Sequence, residues 1–169
     1  QLTTSTTDAI FALSYFPLDE RFLYSKDRGG DELTHIYVQD SEGSVRDLTP
    51  GDSLKANFLG WADDDRSFFV STNERDRRFF DVYEIALDGY ARTLVYRNDQ
   101  GLEFGGISPD KRHVALVKPR TTNDADVYLY DRQTQELKNI TAHQGTVNNA
   151  PADFAPDGRS LYLITDAGH

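Results

Sequence analysis

The sequence predicts an all-β fold built from one repeated four-stranded unit, and three marks in a common register predict it. A six-residue turn recurs as Phe16-Pro17-Leu18-Asp19-Glu20-Arg21, Trp61-Ala62-Asp63-Asp64-Asp65-Arg66, Ile107-Ser108-Pro109-Asp110-Lys111-Arg112 and Phe154-Ala155-Pro156-Asp157-Gly158-Arg159, with arginines 45, 46 and 47 residues apart. A Tyr inside an apolar run keeps this step in Ile36-Tyr37-Val38, Val82-Tyr83-Glu84-Ile85 and Val127-Tyr128-Leu129-Tyr130. An aliphatic residue, usually followed by Thr, recurs every 46 residues at Leu2-Thr3, Leu48-Thr49, Leu94-Val95 and Ile140-Thr141. Four short strands in about 45 residues, repeated, are the signature of a propeller blade. The fold class is therefore a β-propeller fragment, with about three complete four-stranded blades plus partial blades at both ends.

The units run approximately 8–53, 54–99 and 100–144, with part-blades 1–7 and 145–169, in a single partial propeller domain. Gln1-Leu2-Thr3 matches the last strand of a preceding unit. In the second unit the apolar runs are Ala56 to Trp61, Ser67 to Ser71, Phe80 to Leu87 and Arg92 to Tyr96. They are rich in Val, Ile, Tyr and Phe, which suit a pleated, half-buried surface. Ser53 to Leu59 could open a short helix behind an Asp52 cap, but its register with Asn148 to Phe154 argues for an inner strand.

Turn chemistry punctuates these runs. Pro109 and Pro156 preset φ, and Asp110 and Asp157 can bond the backbone ahead of them. Gly158 can take the left-handed conformation that closes a hairpin. Asp63, Asp64 and Asp65 replace these residues in the second unit, so a less rigid turn is expected there. The next hairpin is signalled by Asp40-Ser41-Glu42-Gly43, by Asp88-Gly89 and by Asp131 to Gln135. The residues opening each turn (Phe16, Trp61, Ile107, Phe154) are expected to pack between neighbouring blades.

Composition bounds the partners. The 169 residues carry 28 acidic and 18 basic side chains, a net charge of −10, with no Cys and no Met. Such a chain repels nucleic-acid phosphates and has no basic stripe to overcome the repulsion. It has no thiolate nucleophile, disulfide framework or thiolate metal site. No apolar run of about 18 residues offers a membrane span, and the start shows no signal-peptide pattern. The missing Met, even at position 1, and the part-blade register suggest a piece of a longer propeller. Open blade edges would then invite self-association.

The turns Ser108-Pro109-Asp110-Lys111-Arg112 and Ala155-Pro156-Asp157-Gly158-Arg159 resemble the Ser-Pro-Asp-Gly-(Lys/Arg) turn of TolB-type propeller repeats. The stretch Arg21 to Leu33, followed by His35-Ile36-Tyr37-Val38 and Asp47-Leu48-Thr49-Pro50, resembles the propeller of prolyl oligopeptidase-family serine peptidases, including acylaminoacyl- and dipeptidyl-peptidase-like members. The resemblance implies a non-catalytic segment that gates peptide access and docks an α/β-hydrolase domain absent from this sequence. The partners implied are that domain and a peptide substrate, and the parent would be a serine peptidase using a Ser-His-Asp triad. A TolB-like binding propeller with no enzyme attached is the alternative. Relatives of this kind suggest a periplasmic or secreted location; a cytoplasmic one stays open.

The residues themselves offer no catalytic, cofactor or metal site. Gly106-Ile107-Ser108-Pro109-Asp110 comes nearest to a nucleophile elbow, but Asp110 stands where the closing Gly should be. His35, His113, His143 and His169 lack metal-ligand spacing. Asp63-Asp64-Asp65 lacks the spaced ligands and closing Glu of a calcium loop. A propeller with its own acid–base site would need two carboxylates in a pocket. Asn139-Ile140-Thr141 is a glycosylation sequon on an expected strand. Dipeptidyl peptidases of the family hold a free amino terminus with paired Glu residues; Asp81-Val82-Tyr83-Glu84-Ile85 resembles that signature but lacks the adjacent second Glu. Connections after the second strand of each blade, at 26–34, 72–78 and 118–126, carry Arg28, Glu32, Arg75, Arg77, Arg78 and Arg120. Arginines on such loops could pair with a peptide carboxylate or with acids of a neighbouring domain.

Overall fold

The computed structural model describes residues 6–168, so Gln1-Leu2-Thr3 and His169 lie outside the described residues. Among the described residues there are fourteen strands and no helix. The chain divides into two compact units, residues 1–94 and 95–169, with the division inside an edge strand.

In the first unit, β1 (Ile10–Tyr15), β2 (Phe22–Lys26), β3 (His35–Gln39) and β4 (Val45–Asp47) form one sheet in sequence order. The next sheet is β5 (Ala56–Trp61), β6 (Ser67–Asp76), β7 (Phe79–Ala86) and β8 (Arg92–Tyr96), again in sequence order. The strand at Ala56–Trp61 settles the helix-or-strand question in favour of the inner strand. In the second unit, β9 (Glu103–Ile107), β10 (His113–Thr121), β11 (Asp124–Asp131) and β12 (Glu136–Asn139) repeat the pattern, followed by the pair β13 (Asn149–Phe154) and β14 (Leu161–Thr165). Sequential antiparallel strands in four-stranded sheets are the blade arrangement, and the fold is all-β.

The core of the first unit lies between its two sheets. Phe16, Leu23, Ile36, Val38, Leu48, Leu54, Ala56, Phe68, Val70 and Ile85 form one buried cluster. Phe16 meets Trp61 edge-on at 5.1 Å between ring centroids, and the Trp61 indole N–H donates to Ser14 Oγ at 2.9 Å. The turn-opening aromatics Phe16 and Trp61 therefore do pack from sheet to sheet.

Strand pairing refines the repeat register. Tyr15 pairs with Phe22, Trp61 with Phe68, Ile107 with Val114 and Phe154 with Leu161. The structural counterpart of Trp61 is thus Tyr15 rather than Phe16. The first turn is displaced by one residue because its carboxylate comes from Asp19, while Leu18 fills the slot that Asp64, Asp110 and Asp157 occupy. Each of these Asp side chains accepts a bond from the N–H two residues ahead, at 2.9 Å for Arg21 and 3.0 Å for Arg66, Arg112 and Arg159. Asp65, Lys111 and Gly158 all take positive φ, at 53°, 59° and 69°. The Asp-rich turn at Trp61–Arg66 therefore makes the same bonds as the Pro-containing ones.

Two further regularities emerge from the pairing. Each inner strand shifts register at one equivalent point, between Ala12 and Ser14, Phe58 and Gly60, Phe104 and Gly106, and Pro151 and Asp153. The unpaired residues there are Leu13, Leu59, Gly105 and Ala152. The Leu-Thr mark also acquires a cause. The Ile36 N–H donates to Thr49 Oγ1 at 2.9 Å, and the Val127 N–H to Thr141 Oγ1 at 2.7 Å. In return Leu48 and Ile140 donate to the Ile36 and Val127 carbonyls at 2.8 and 2.9 Å. The threonine hydroxyl thus closes a ladder that the short outer strand leaves open. The sequon has a structural role as well, since Asn139 Oδ1 accepts the Thr141 N–H at 3.0 Å.

Candidate functional site

The third strand of every complete sheet is entered through a buried polar residue: His35, Asp81 or Asp126, with exposures of 3%, 1% and 0%. Burial of a carboxylate is tolerable only with a strong partner, and the partners follow the repeat. Arg75 lies six residues before Asp81 and binds it with both fork nitrogens, Nε at 2.7 Å and an Nη at 2.8 Å. Arg120 lies six residues before Asp126 and binds it through an Nη. In the first sheet the scheme inverts. His35 Nδ1 bonds Asp47 Oδ2 at 2.8 Å, and position 29, where the arginine would stand, is Gly.

These partners correct the expected loops at 72–78 and 118–126. In the second sheet β6 runs on to Asp76 and turns through Arg77-Arg78; in the third, β10 runs to Thr121 and turns through Thr122-Asn123. Arg75 and Arg120 stand on strands, not loops. None of the four turn residues has positive φ. Both hairpins carry register shifts, between Thr72 and Asp76 and between Pro119 and Thr121. Those shifts let each arginine reach back to its aspartate.

The other candidates are spread along the same edges. Arg78 forms an ion pair with Asp76 at 2.7 Å and lies over the Phe79 ring. Arg77 is exposed, and its carbonyl accepts from Asn73. Arg28 and Glu32 are exposed on the connection between β2 and β3, 27–34, where Glu32 takes φ 60°. That connection is pinned by Asp27, 4% exposed, which accepts the Ala9 N–H at 2.7 Å, and by Asp31, which accepts the Leu33 N–H at 2.9 Å. Beside the second hairpin, Arg92 binds both oxygens of Glu74 at 2.9 Å and stacks 4.5 Å over Tyr83. Burial, reinforced by the Glu74 charge, pushes the Tyr83 phenol up to about 12. Within each sheet these side chains form a charged, internally paired rim.

From the sequence, Asp124 and Asp126 carried no site role, Asp81 stood out only within a peptidase-like run, and His143 only as one of four histidines without metal-ligand spacing. The signal was present in part, because Asp81-Val82-Tyr83 and Asp126-Val127-Tyr128 repeat in register. The Asp81 run thus has a second reason for its pattern beyond the peptidase signature. Ser108 is 1% exposed; it donates to Asp110 Oδ1 at 2.5 Å and accepts the His113 N–H at 2.9 Å, which places it in turn closure. This bond is the main reason the Asp110 carboxyl lies below its ordinary range. Among the described residues no group of three or more His, Cys, Asp or Glu gathers as a metal site.

Known proteins supply the context. No family model matches the chain. It is 28% identical over 160 residues to dipeptidyl aminopeptidase BIII of Pseudoxanthomonas mexicana, a match covering 92% of this chain and 23% of that protein. The chain therefore spans about a quarter of that relative's length. In structure it resembles TolB from Acinetobacter baumannii, with a TM-score of 0.57 and 18% identity, over 95% of this chain and 38% of that one. It resembles oligopeptidase B from Leishmania major with a TM-score of 0.60 and 16% identity, over 98% of this chain and 24% of that one. The chain is thus a propeller segment with the fold of the TolB and oligopeptidase propellers and with sequence similarity to a dipeptidyl aminopeptidase, which matches the resemblance carried by its turn motifs.

Proposed function

We propose that this chain is the non-catalytic propeller segment of a prolyl oligopeptidase-like serine peptidase, where it gates peptide access and docks a separate α/β-hydrolase domain. The observation that carries this reading is the similarity to dipeptidyl aminopeptidase BIII along 92% of the chain, with most of that protein's length left over. The units at 8–53, 54–99 and 100–144 and the part-blades are read as successive parts of one larger propeller. A periplasmic or secreted location belongs to the same reading. Among the described residues no helix is long and apolar enough to cross a membrane.

The paired chemistry of the rim refines the docking surface. Arg75 and Arg120 already hold buried aspartates, so within the candidate set the exposed Arg28, Glu32, Arg77 and Arg78 are the side chains offered to a peptide or a second domain. TolB-like binding without an attached enzyme is the rival, supported by matches to TolB over 95% and 98% of this chain. The test has two arms. The purified chain should not release the chromophore from dipeptidyl nitroanilides. The full parent reading frame should contain a nucleophile elbow, and its product should hydrolyse those substrates. Activity in the isolated chain that vanishes on mutating one of its own residues would overturn the reading; a parent without a hydrolase domain would favour the TolB-like rival.

A further inference from the structure

His143 lies on the connection that leaves β12 and enters β13, and its ring is surrounded by oxygen acceptors. Nε2 is 3.0 Å from Asp124 Oδ1. Nδ1 is 2.9 Å from the Thr141 carbonyl oxygen and 3.2 Å from Asp126 Oδ1. A neutral imidazole has one N–H and one lone pair. Either neutral tautomer would therefore aim a lone pair at a carboxylate or a carbonyl. The neutral Nε2–H tautomer would have only the distant Asn149 amide, 3.5 Å away, to answer its Nδ1 lone pair, whereas the doubly protonated ring donates to the closer oxygens on both sides.

The surroundings agree. Asp126 is 0% exposed, and its Oδ1 has no hydrogen-bond partner of normal geometry, so the nearby imidazolium is the charge that answers it. Side-chain exposure is 13% for both His143 and Asp124. The Thr141 carbonyl first, then the Asp124 and Asp126 carboxylates, raise the His143 pKa above its ordinary value against the cost of desolvation. Arg120 on β10 opposes this through its own bond to Asp126. The neighbour on β13 is Asn149, whose Nδ2 lies 3.5 Å from Nδ1 and donates to the Ala125 carbonyl at 3.1 Å. No other titratable group is recorded against the ring among the described residues.

The same place joins the complete sheet to the next strand pair. Ala125 donates to the Val147 carbonyl at 3.1 Å and makes an isolated parallel bridge with Asn148. These backbone contacts are few, and the connection at 142–146 is mostly exposed. A side-chain clamp therefore has leverage over it.

We propose that His143 is a pH-sensitive clamp whose imidazolium bridges Asp124 and Asp126 and holds the 140–148 connection against β11. The sign follows from linkage. A raised folded-state pKa means that the stabilisation is fully present below the ordinary histidine value of about 6.5. It is lost as pH rises through the folded value. The junction is tight in mildly acidic conditions and loosens as pH rises through the folded value. The inference does not depend on any peptidase role.

The test is a ring-nitrogen NMR titration of the whole chain, paired with amide hydrogen exchange at Ala125 corrected for the intrinsic pH effect. Both ring nitrogens should be protonated at pH 6, and exchange protection at Ala125 should fall at least about threefold between pH 6 and pH 8.5. Asp124→Asn should lower the His143 midpoint, and His143→Gln should flatten the protection profile. A His143 ring that is neutral at pH 6, or a midpoint indifferent to Asp124→Asn, would overturn the proposal. The titration of the unaltered chain decides even if His143→Gln does not fold.

Discussion

At the scale of single residues, the chain stabilises strand entry with charge rather than with hydrophobicity. Asp81 and Asp126 are fully enclosed, and each depends on an arginine six residues upstream. Removing one partner of a buried pair strands the other charge in a poor solvent, which costs far more than the pair contributes when intact. Arg120→Ala should therefore destabilise the chain by about 3 kcal/mol, and by less where the His143 imidazolium still faces Asp126, read as a lowered urea midpoint. Replacing Arg78, whose partnership with Asp76 is on the surface, should move that midpoint far less. The contrast between the two arginines is the diagnostic result. Equal effects would mean that exposure, not burial of the aspartate, sets the energetics.

At the scale of elements, the register shift in β9 places one residue against the neighbouring strand pair. At position 105 that residue is Gly, and a Cβ built there would sit 2.4 Å from Pro151 Cγ and 3.3 Å from the Ala115 carbonyl. Neither the proline ring nor the backbone oxygen can give way cheaply, so β9 and β13 are separated by a gap sized for hydrogen. Gly105→Ala should cost about 1–3 kcal/mol through overpacking. Gly105→Ala combined with Pro151→Ala should recover part of the loss, measurable in a double-mutant cycle. The bulge series was not legible in the sequence because Leu13, Leu59, Gly105 and Ala152 include no turn or polar residue type common to all four. Pairing alone reveals that they share a place.

At the scale of the whole molecule, stability is a balance of many carboxylates against fewer cations. Asp76 and Asp131 are held well below the carboxylate range, chiefly by hydrogen bonds from Arg78 and Arg112, and Asp8, Asp19 and Asp110 are lowered as well. A group with a depressed folded pKa contributes stability that is present above its ordinary value and lost as pH falls through the folded one. The urea midpoint should therefore stay level down to about pH 4 and fall progressively below it. Added salt should flatten that fall, because these groups are near the surface. A midpoint that keeps rising below pH 4 would contradict this account.

Sequence periodicity alone determined the all-β repeat, the order of the four strands in the 54–99 unit and the turn chemistry, because side-chain alternation and Asp, Pro and Gly signals are local. The resemblance to peptidase and TolB propellers was equally legible, carried by contiguous runs such as Ser108-Pro109-Asp110-Lys111-Arg112. Tertiary structure decided what depends on residues distant along the chain or on strand pairing. It shifted the first turn by one residue, turned two expected loops into hairpins and tied Arg75 and Arg120 to buried aspartates. It also brought His143 against Asp124, 19 residues away. An ion pair or a bulge is defined by what lies opposite, and opposition across a sheet is set only when the strands are in register.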